Sequence, residues 1–241
     1  MSQPWIGKYQ VIDVPPADPQ VLAEFATLPL DPFTGGRQRY RRFSQYRLYA
    51  DQADGGWQLE LLPHRPFLQP RRVNGLVGGV QRDFAPLRID PTPQIAAGAQ
   101  ALGLDRTRDW QINVHQCRVI TTTEVAGVSV PEGPHRDGHE YGMLAVFGRH
   151  NIDGGENELM PAGGGEPFFR VCLQPNQALV YSDGAMWHNA TDIVARDGTA
   201  GHRDLWIVAI NPWEQRKYGE DFERRALAGD GVAAVPDGAT R

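Results

Sequence analysis

The feature that most restricts this chain is its punctuation. Short runs rich in β-branched and aromatic residues are cut apart by glycine and proline clusters, among them Pro131-Glu-Gly-Pro134, Asp153-Gly-Gly155, Ala162-Gly-Gly-Gly-Glu166 and Asp197-Gly198. Runs of that kind suit a pleated surface, and the separators supply the backbone conformations that turns need. Strands are predicted at Arg39–Ala50, Gly56–Leu62, Ile112–Thr121, Tyr141–Phe147, Phe168–Leu173, Ala178–Tyr181 and Arg203–Ile210. Helical spacing is confined to two segments. Residues 19–28 follow Asp18 as N-cap, and residues 92–103 open with Thr92 before Pro93 and end at Gly103. Both helices should pack on the outside of a sheet. Many short strands with few helices describe a mainly β protein with flanking helices, of sandwich or jelly-roll type. No internal repeat at a fixed period is visible.

Length and charge narrow the function. At 241 residues the chain is long enough to bury roughly 70% of its unfolded surface, and one domain over 1–241 accounts for it. Its core is expected over about 35–212. The tail 226–241 is poor in large apolar side chains and is expected to be mobile, with no chemistry of its own. A net charge of −5 and a pI near 5.8 argue against a nucleic-acid partner. Cys117 and Cys172 lie in apolar, strand-like surroundings and are read as buried, reduced thiols. The first residues lack a basic segment followed by an apolar core, and no run reaches the ~18 apolar residues of a membrane helix. A cytoplasmic enzyme with no membrane partner is the expectation.

The chemistry-bearing residues are His135 and Asp137, flanking Arg136, then His188, then Arg203 at the head of the apolar run Leu205–Ile210. On a strand, residues i and i+2 share a face, so His135 and Asp137 can reach one metal while Arg136 points away. Two imidazoles and a carboxylate suit a divalent iron and leave positions open for chemistry. An arginine held nearby on a strand can grip a carboxylate with its fork of donors. The pair alone is weak, because 7 His and 29 acids in this chain give roughly one His-x-acid pair by chance. A second such pair exists, His202-Arg203-Asp204. His202 could therefore replace His188 as the distal ligand, with Arg216 as anchor. His188 is preferred, since Arg216 sits in a polar segment after Asn211-Pro212 with no strand to hold it. The same triplet imitates the catalytic loop of protein kinases, but Ala209 stands where that pattern needs Asn, and no glycine-rich loop precedes it.

Five runs, Asn113-Val-His-Gln-Cys-Arg118, Pro131 to Gly138, Arg149-His-Asn-Ile-Asp-Gly-Gly-Glu156, His188-Asn-Ala-Thr-Asp-Ile193 and Arg203-Asp-Leu-Trp-Ile-Val208, share a resemblance. Together with Asn74–Arg82 and the arginine-rich stretch Arg37–Arg47, they resemble the bacterial iron and 2-oxoglutarate dependent dioxygenases that include the L-isoleucine hydroxylases. The resemblance covers most of residues 35–212. It implies a double-stranded β-helix, a cupin-like jelly roll, using Fe(II) with 2-oxoglutarate and O2 as co-substrates. It implies that His135, Asp137 and His188 bind iron, that Arg203 binds the distal carboxylate of 2-oxoglutarate, and that the Thr191 hydroxyl assists it. The implied reaction hydroxylates an unactivated C–H bond of a small substrate, a free L-amino acid, releasing succinate and CO2. Cys117, where an aliphatic residue is expected, and Ala190-Thr-Asp192, which lacks the usual Pro, depart from the pattern.

A free amino acid needs a cation for its carboxylate, acceptors for its ammonium group and an apolar wall. Arg118, Glu132, Tyr141 and Asn151 are the candidates nearest the metal residues in sequence, with Arg136 if its loop folds over. Each has a plainer reading: Arg118 as a strand-surface charge, Glu132 as a loop acid, Tyr141 as core, Asn151 as a turn residue. Trp187 and Trp206 could wall the pocket or simply pack. His64, His115, His139 and His150 have no ligand spacing, although His115 on a core strand could support the metal residues. Two other classes fit the trio: a cupin-like metalloenzyme without 2-oxoglutarate, and a non-catalytic small-molecule binding jelly roll. Arg203 argues against the first and the intact ligand set against the second.

Overall fold

A computed structural model of the protein describes residues 9–33, 36, 38–51 and 55–228. In chain order the elements are β1 (Tyr9–Asp13), α1 (Pro19–Glu24), β2 (Arg39–Ala50), β3 (Trp57–Leu61), α2 (Thr92–Leu102), β4 (Trp110–Thr121), β5 (Tyr141–His150), β6 (Ile152–Gly154), β7 (Asn157–Pro161), β8 (Phe169–Val171), β9 (Gln177–Tyr181), β10 (Met186–Ala190), β11 (Ile193–Ala195), β12 (Gly201–Pro212) and α3 (Glu220–Ala228). Seven strands form one antiparallel sheet in the order β1-β9-β5-β12-β4-β2-β3. A second sheet, β10-β7-β8, and the pair β11-β6 complete a jelly roll.

Alternation along the three central strands separates core from cavity. Even-numbered Tyr46 and Leu48 of β2, Ile112 and Val114 of β4, and Trp206, Val208 and Ile210 of β12 pack with Val21, Phe25, Ile95, Ala99 and Leu102 from the helical side. Each such large apolar side chain contributes about 1.5–3 kcal/mol by leaving water, so this face anchors the sheet. Odd-numbered residues of the same strands point the other way. Arg39, Arg41, His115, Val119, Arg203, Leu205, Ile207 and Ala209 all line one cavity between the large sheet and the smaller one. Between the sheets, Leu144, Val146, Leu179 and Leu205 pack with Leu159 of β7 and Met186 of β10. A register shift at Asp204/Leu205 reverses the parity of β5, so that Leu144 faces the cavity while Arg149 lies opposite Arg203.

Several expectations need adjustment. The first helix stops at Glu24 and continues as a 3-10 turn over Phe25–Thr27, while the Asp18 carboxylate accepts from the Gln20 amide at 2.8 Å as a cap. Thr92 lies inside α2, and the first-turn amide is instead met by Asp90, whose carboxylate accepts from the Thr92 N–H at 2.9 Å. Gly103 ends α2 at φ 62, the left-handed conformation that favours glycine. The expected tail begins too early: Ala226 to Ala228 belong to α3, and Ala226 is buried with Phe222 against Leu68. Its remaining residues, 229–241, and Arg37 lie outside the described residues. Both cysteines are free thiols, but Cys172 is exposed rather than buried. Among the described residues no helix is long and apolar enough to cross a membrane.

Candidate active site

His135 and Asp137 do not sit on a strand. They hang from a turn-rich stretch in which Gly133 and Gly138 adopt φ 70 and φ 73. A single bridge joins this stretch to β10: the His135 amide donates to the His188 carbonyl at 3.0 Å and the His188 amide returns to the His135 carbonyl at 2.9 Å. The i, i+2 relation nonetheless turns both side chains into the cavity, while Arg136 turns outward and donates to the Gly184 carbonyl at 3.0 Å. His188 comes from a different strand, β10, as its distance in sequence requires.

The three side chains converge. His135 Nε2 lies 3.6 Å from Asp137 Oδ1, His188 Nε2 lies 3.4 Å from Asp137 Oδ2, and one ligand atom from each residue falls within 4.8 Å of the others. His135 Nδ1 is 2.8 Å from the Gly133 carbonyl, so the ring donates there and Nε2 is the nitrogen that faces Asp137 and, once deprotonated, could take a metal. The donor set therefore fits a divalent iron. Burial favours a neutral Asp137, but hydrogen bonds and charge from His135 and His188 outweigh it and hold the carboxyl well below the usual range. Burial also opposes charge on His135, yet Asp137, aided by the Gly133 carbonyl, raises its pKa to about 9.

A second tier holds these ligands. Asp183, 1% exposed, accepts from the amides of Asp137 (3.1 Å) and His139 (2.8 Å) and places Oδ1 3.5 Å from His188 Nδ1. Gln69 donates to Asp137 Oδ1 at 3.1 Å, and its own carbonyl accepts from Arg82 at 2.7 Å and Asn74 at 3.3 Å. Asn74 also donates to Glu132 at 3.0 Å and accepts from the amides of Leu76 and Val77, each at 3.0 Å. One chain of amides thus ties Asp137 to the cavity wall.

The cavity has a volume of about 340 Å³. Arg203 lines it, fully buried, donating to the Asn157 side chain at 3.2 Å, with Nε unpartnered. Burial first and Arg149 second lower its pKa to about 10. No carboxylate pairs with it among the described residues. Arg39, Arg41, Arg82 and Glu132 line the same cavity, with the apolar Phe33, Leu76 and Val77.

The profile of the 2OG-Fe dioxygenase family matches residues 22–209. The chain belongs to the 2OG-Fe dioxygenase family. Members of that family work with Fe(II), 2-oxoglutarate and O2 on small molecules, and the His-Asp-His trio is a group that could hold such a metal. A bsmA homolog from Methylobium petroleophilum PM1 superposes with a TM-score of 0.67 at 29% identity, over 80% of this chain and 79% of that one. The Bacillus thuringiensis protein called IDO has a TM-score of 0.62 at 22% identity, over 80% and 84% of the two chains. The Fe(II)/(alpha)ketoglutarate-dependent dioxygenase TqaL has a TM-score of 0.50 at 17% identity, over 81% and 75%. These last two share the fold. Comparison with curated proteins finds no match.

Within this dioxygenase the other sequence candidates separate cleanly. Glu132 lines the cavity. Arg118 is instead bound by both nitrogens to Asp204, at 2.6 and 2.7 Å, on the opposite face of the sheet. Tyr141 packs with the helix-side core, its ring 6.1 Å from that of Trp110. Asn151 is a turn residue at φ 50 whose amide donates to Asp197 and Thr199. The Thr191 hydroxyl accepts from the Glu156 amide at 3.0 Å and lies outside the cavity lining, where Asn157 accompanies Arg203 instead. Trp206 is buried against Phe147 in the helix-side core, and Trp187 does not line the cavity.

The histidines also sort themselves. His202 stacks near His150, with ring centroids 5.3 Å apart, and its Nε2 lies 3.7 Å from Asp204, away from the trio. Arg216 is exposed and donates to the Trp213 carbonyl. That alternative pair therefore fails. His64 pairs with Asp83 at the surface. His115 does line the cavity, stacked on Phe43 at 4.5 Å, and burial drives its pKa well below the usual value. His139 lines it too, beside Asn211, with a pKa lowered to about 3, by burial first and Lys217 next. Sequence reasoning missed Arg39, Arg41, Gln69, Asn74, Arg82, Asn157 and Asp183. The arginine-rich strand was visible, but nothing in it tells which of its cations face inward.

Proposed function

We propose that this dioxygenase hydroxylates an unactivated C–H bond of a free L-amino acid, converting 2-oxoglutarate and O2 to succinate and CO2. The observation that carries the reading is a buried, acid-free Arg203 opening into the same cavity as His135, Asp137 and His188. Those three residues would hold Fe(II), which, with 2-oxoglutarate, supplies the oxidising chemistry. Arg203, steadied by Asn157, takes the distal carboxylate of 2-oxoglutarate through charge-assisted hydrogen bonds. Glu132 offers the acceptor that an ammonium group needs. Leu205, Ile207, Phe33 and Val77 supply an apolar wall that excludes water and orients the carbon to be oxidised. The free thiols suit a reducing compartment, and we place the enzyme in the cytoplasm as a single catalytic domain.

An anaerobic titration with iron(II) and then 2-oxoglutarate tests the reading. The expected result is a weak visible charge-transfer band, followed on aeration by succinate release that depends on an L-amino acid. Iron binding without the band points to a cupin-like enzyme that does not use 2-oxoglutarate. Neither iron binding nor the band leaves a non-catalytic binding module.

A further inference from the structure

Three further arginines, Arg39, Arg41 and Arg82, line the same cavity as Arg203, and among the described residues two of them lack an acid. Arg41 is matched, its Nε 3.3 Å from Asp31. Arg39 is 8% exposed, donates only to the Ser129 carbonyl at 3.2 Å, and leaves Nε unpartnered. Arg82 is 3% exposed, donates to Gln69, lies over the Phe67 ring at 4.5 Å, and also leaves Nε unpartnered. Among the described residues neither makes an ion pair. Burying a guanidinium without a counter-charge is strongly unfavourable, so two of them lining one cavity mark a place where an anion belongs. Burial, then Arg41, lowers the pKa of both, while Asp31 and Glu132 partly offset this. Asp31 is taken by Arg41, and Glu132 lines the same cavity as the two cations.

We propose that Arg39 and Arg82 form a second anion site that takes the carboxylate of the substrate, while Glu132 receives its ammonium group. The assignment rests on the dioxygenase reading above and names the residues that would set its preference for a substrate whose carboxylate is free. Arg39 and Arg203 each stand in register with Val119, on the strands either side of β4. Their backbones are thus two strand spacings apart, about 10 Å, so 2-oxoglutarate and substrate bind side by side with separate cationic anchors. A residue inside a peptide offers neither charge, and a simple amine offers only one. The apolar Phe33, Phe67, Leu76 and Val77 around the site suit an aliphatic or aromatic side chain.

The test starts from the iron(II) and 2-oxoglutarate band in the wild-type protein. To that complex are added the apolar L-amino acids, their α-amides and the amines left by removing the carboxylate. Charge-assisted hydrogen bonds of this type predict that amides and amines require about tenfold to a hundredfold more ligand than the acids, both to perturb the band and to drive succinate release. Arg39→Gln and Arg82→Gln should raise KM for the acids by a similar factor and shrink the preference for acid over amide. Arg39→Lys and Arg82→Lys, which keep the charge, should recover part of that preference. The band reports whether each variant still binds iron and 2-oxoglutarate, so misfolding is distinguished from lost recognition. Absence of the band in wild type defeats the dioxygenase reading itself. The proposal is overturned if the band forms but no acid perturbs it, if amides serve as well as acids, or if both Gln variants keep the full preference.

Discussion

Asp183 illustrates how much of this site is held from behind. Its carboxylate fixes two backbone amides of the His135–His139 stretch and lies against the far nitrogen of His188, so it orients two of the three metal residues. Asp183→Asn is expected to weaken iron(II) binding about tenfold to a hundredfold, the usual range for residues that support metal ligands, as measured by anaerobic metal competition. His188→Ala should abolish the 2-oxoglutarate band, whereas His202→Ala should keep it, because His202 lies with His150 and Asp204 away from the trio. Arg203→Gln should raise the 2-oxoglutarate Kd about tenfold to a hundredfold, from the lost charge-assisted bonds. His135, Asp137 and His188, which the fold brings together, and Arg203, which lines the same cavity, could be picked out in the sequence, because several ordered runs carry a resemblance that the His-x-Asp pair alone does not. Asp183, Gln69 and Arg82 were not, since ordinary polar side chains gain their roles only from partners that folding brings near.

At the scale of elements, the long strands and the short β3, β8 and β9 were legible, while β1, β6, β7, β10 and β11 were not. β2, β4 and β12 are each 12 residues long, enough for their β-branched and aromatic residues to stand out. β6 and β11 are only 3 residues each, and β7 and β10 exist because each finds the other, Leu159 opposite His188. α3 was not predicted, and its last residues, Ala226 to Ala228, fell within the expected tail, since only Phe222 and Ala226 of the helix are buried. Packing between strands also bears on the site. Gly142 of β5 stands opposite Tyr181 of β9, and a Cβ there would lie 2.3 Å from the Tyr181 ring, which itself sits 5.0 Å from the His188 ring. Gly142→Ala should therefore cost about 1–3 kcal/mol of stability and weaken iron binding, seen as a lower Tm and a higher metal Kd. Gly198→Ala, with nothing within 4 Å of its Cβ, is the control expected to change neither.

For the whole molecule, the buried histidines set the pH dependence of stability. His139, lowered to about 3, and His115, held well below the usual value by burial, stay neutral when folded but take up protons near pH 6.5 when unfolded. The unfolded state then binds more protons, so stability falls as pH drops below about 6.5, by up to about 1.4 kcal/mol per pH unit for each histidine. Asp183, raised by burial, opposes this at the acid end. His135 acts in the other sense: raised to about 9 by Asp137 against burial, it holds its proton in the folded state, and that stabilisation declines as pH rises above about 6.5. Lys217, lowered by burial to about 8, counters the decline above that point. Protein prepared without metal should show its highest Tm near pH 6.5. Iron(II), which must displace the His135 proton, should bind more tightly and stabilise more as pH rises from about 6.5 to about 9, and thermal scans with and without iron check both trends. The sequence by itself determined a mainly β chain, its long strands and a metal trio in order, because alternation and ligand type are local properties. Only the tertiary structure decided which face of each strand meets the cavity and which arginines go unmatched. Those outcomes depend on register between strands as distant as Arg39, Val119 and Arg203, and register is a property of the assembled sheet.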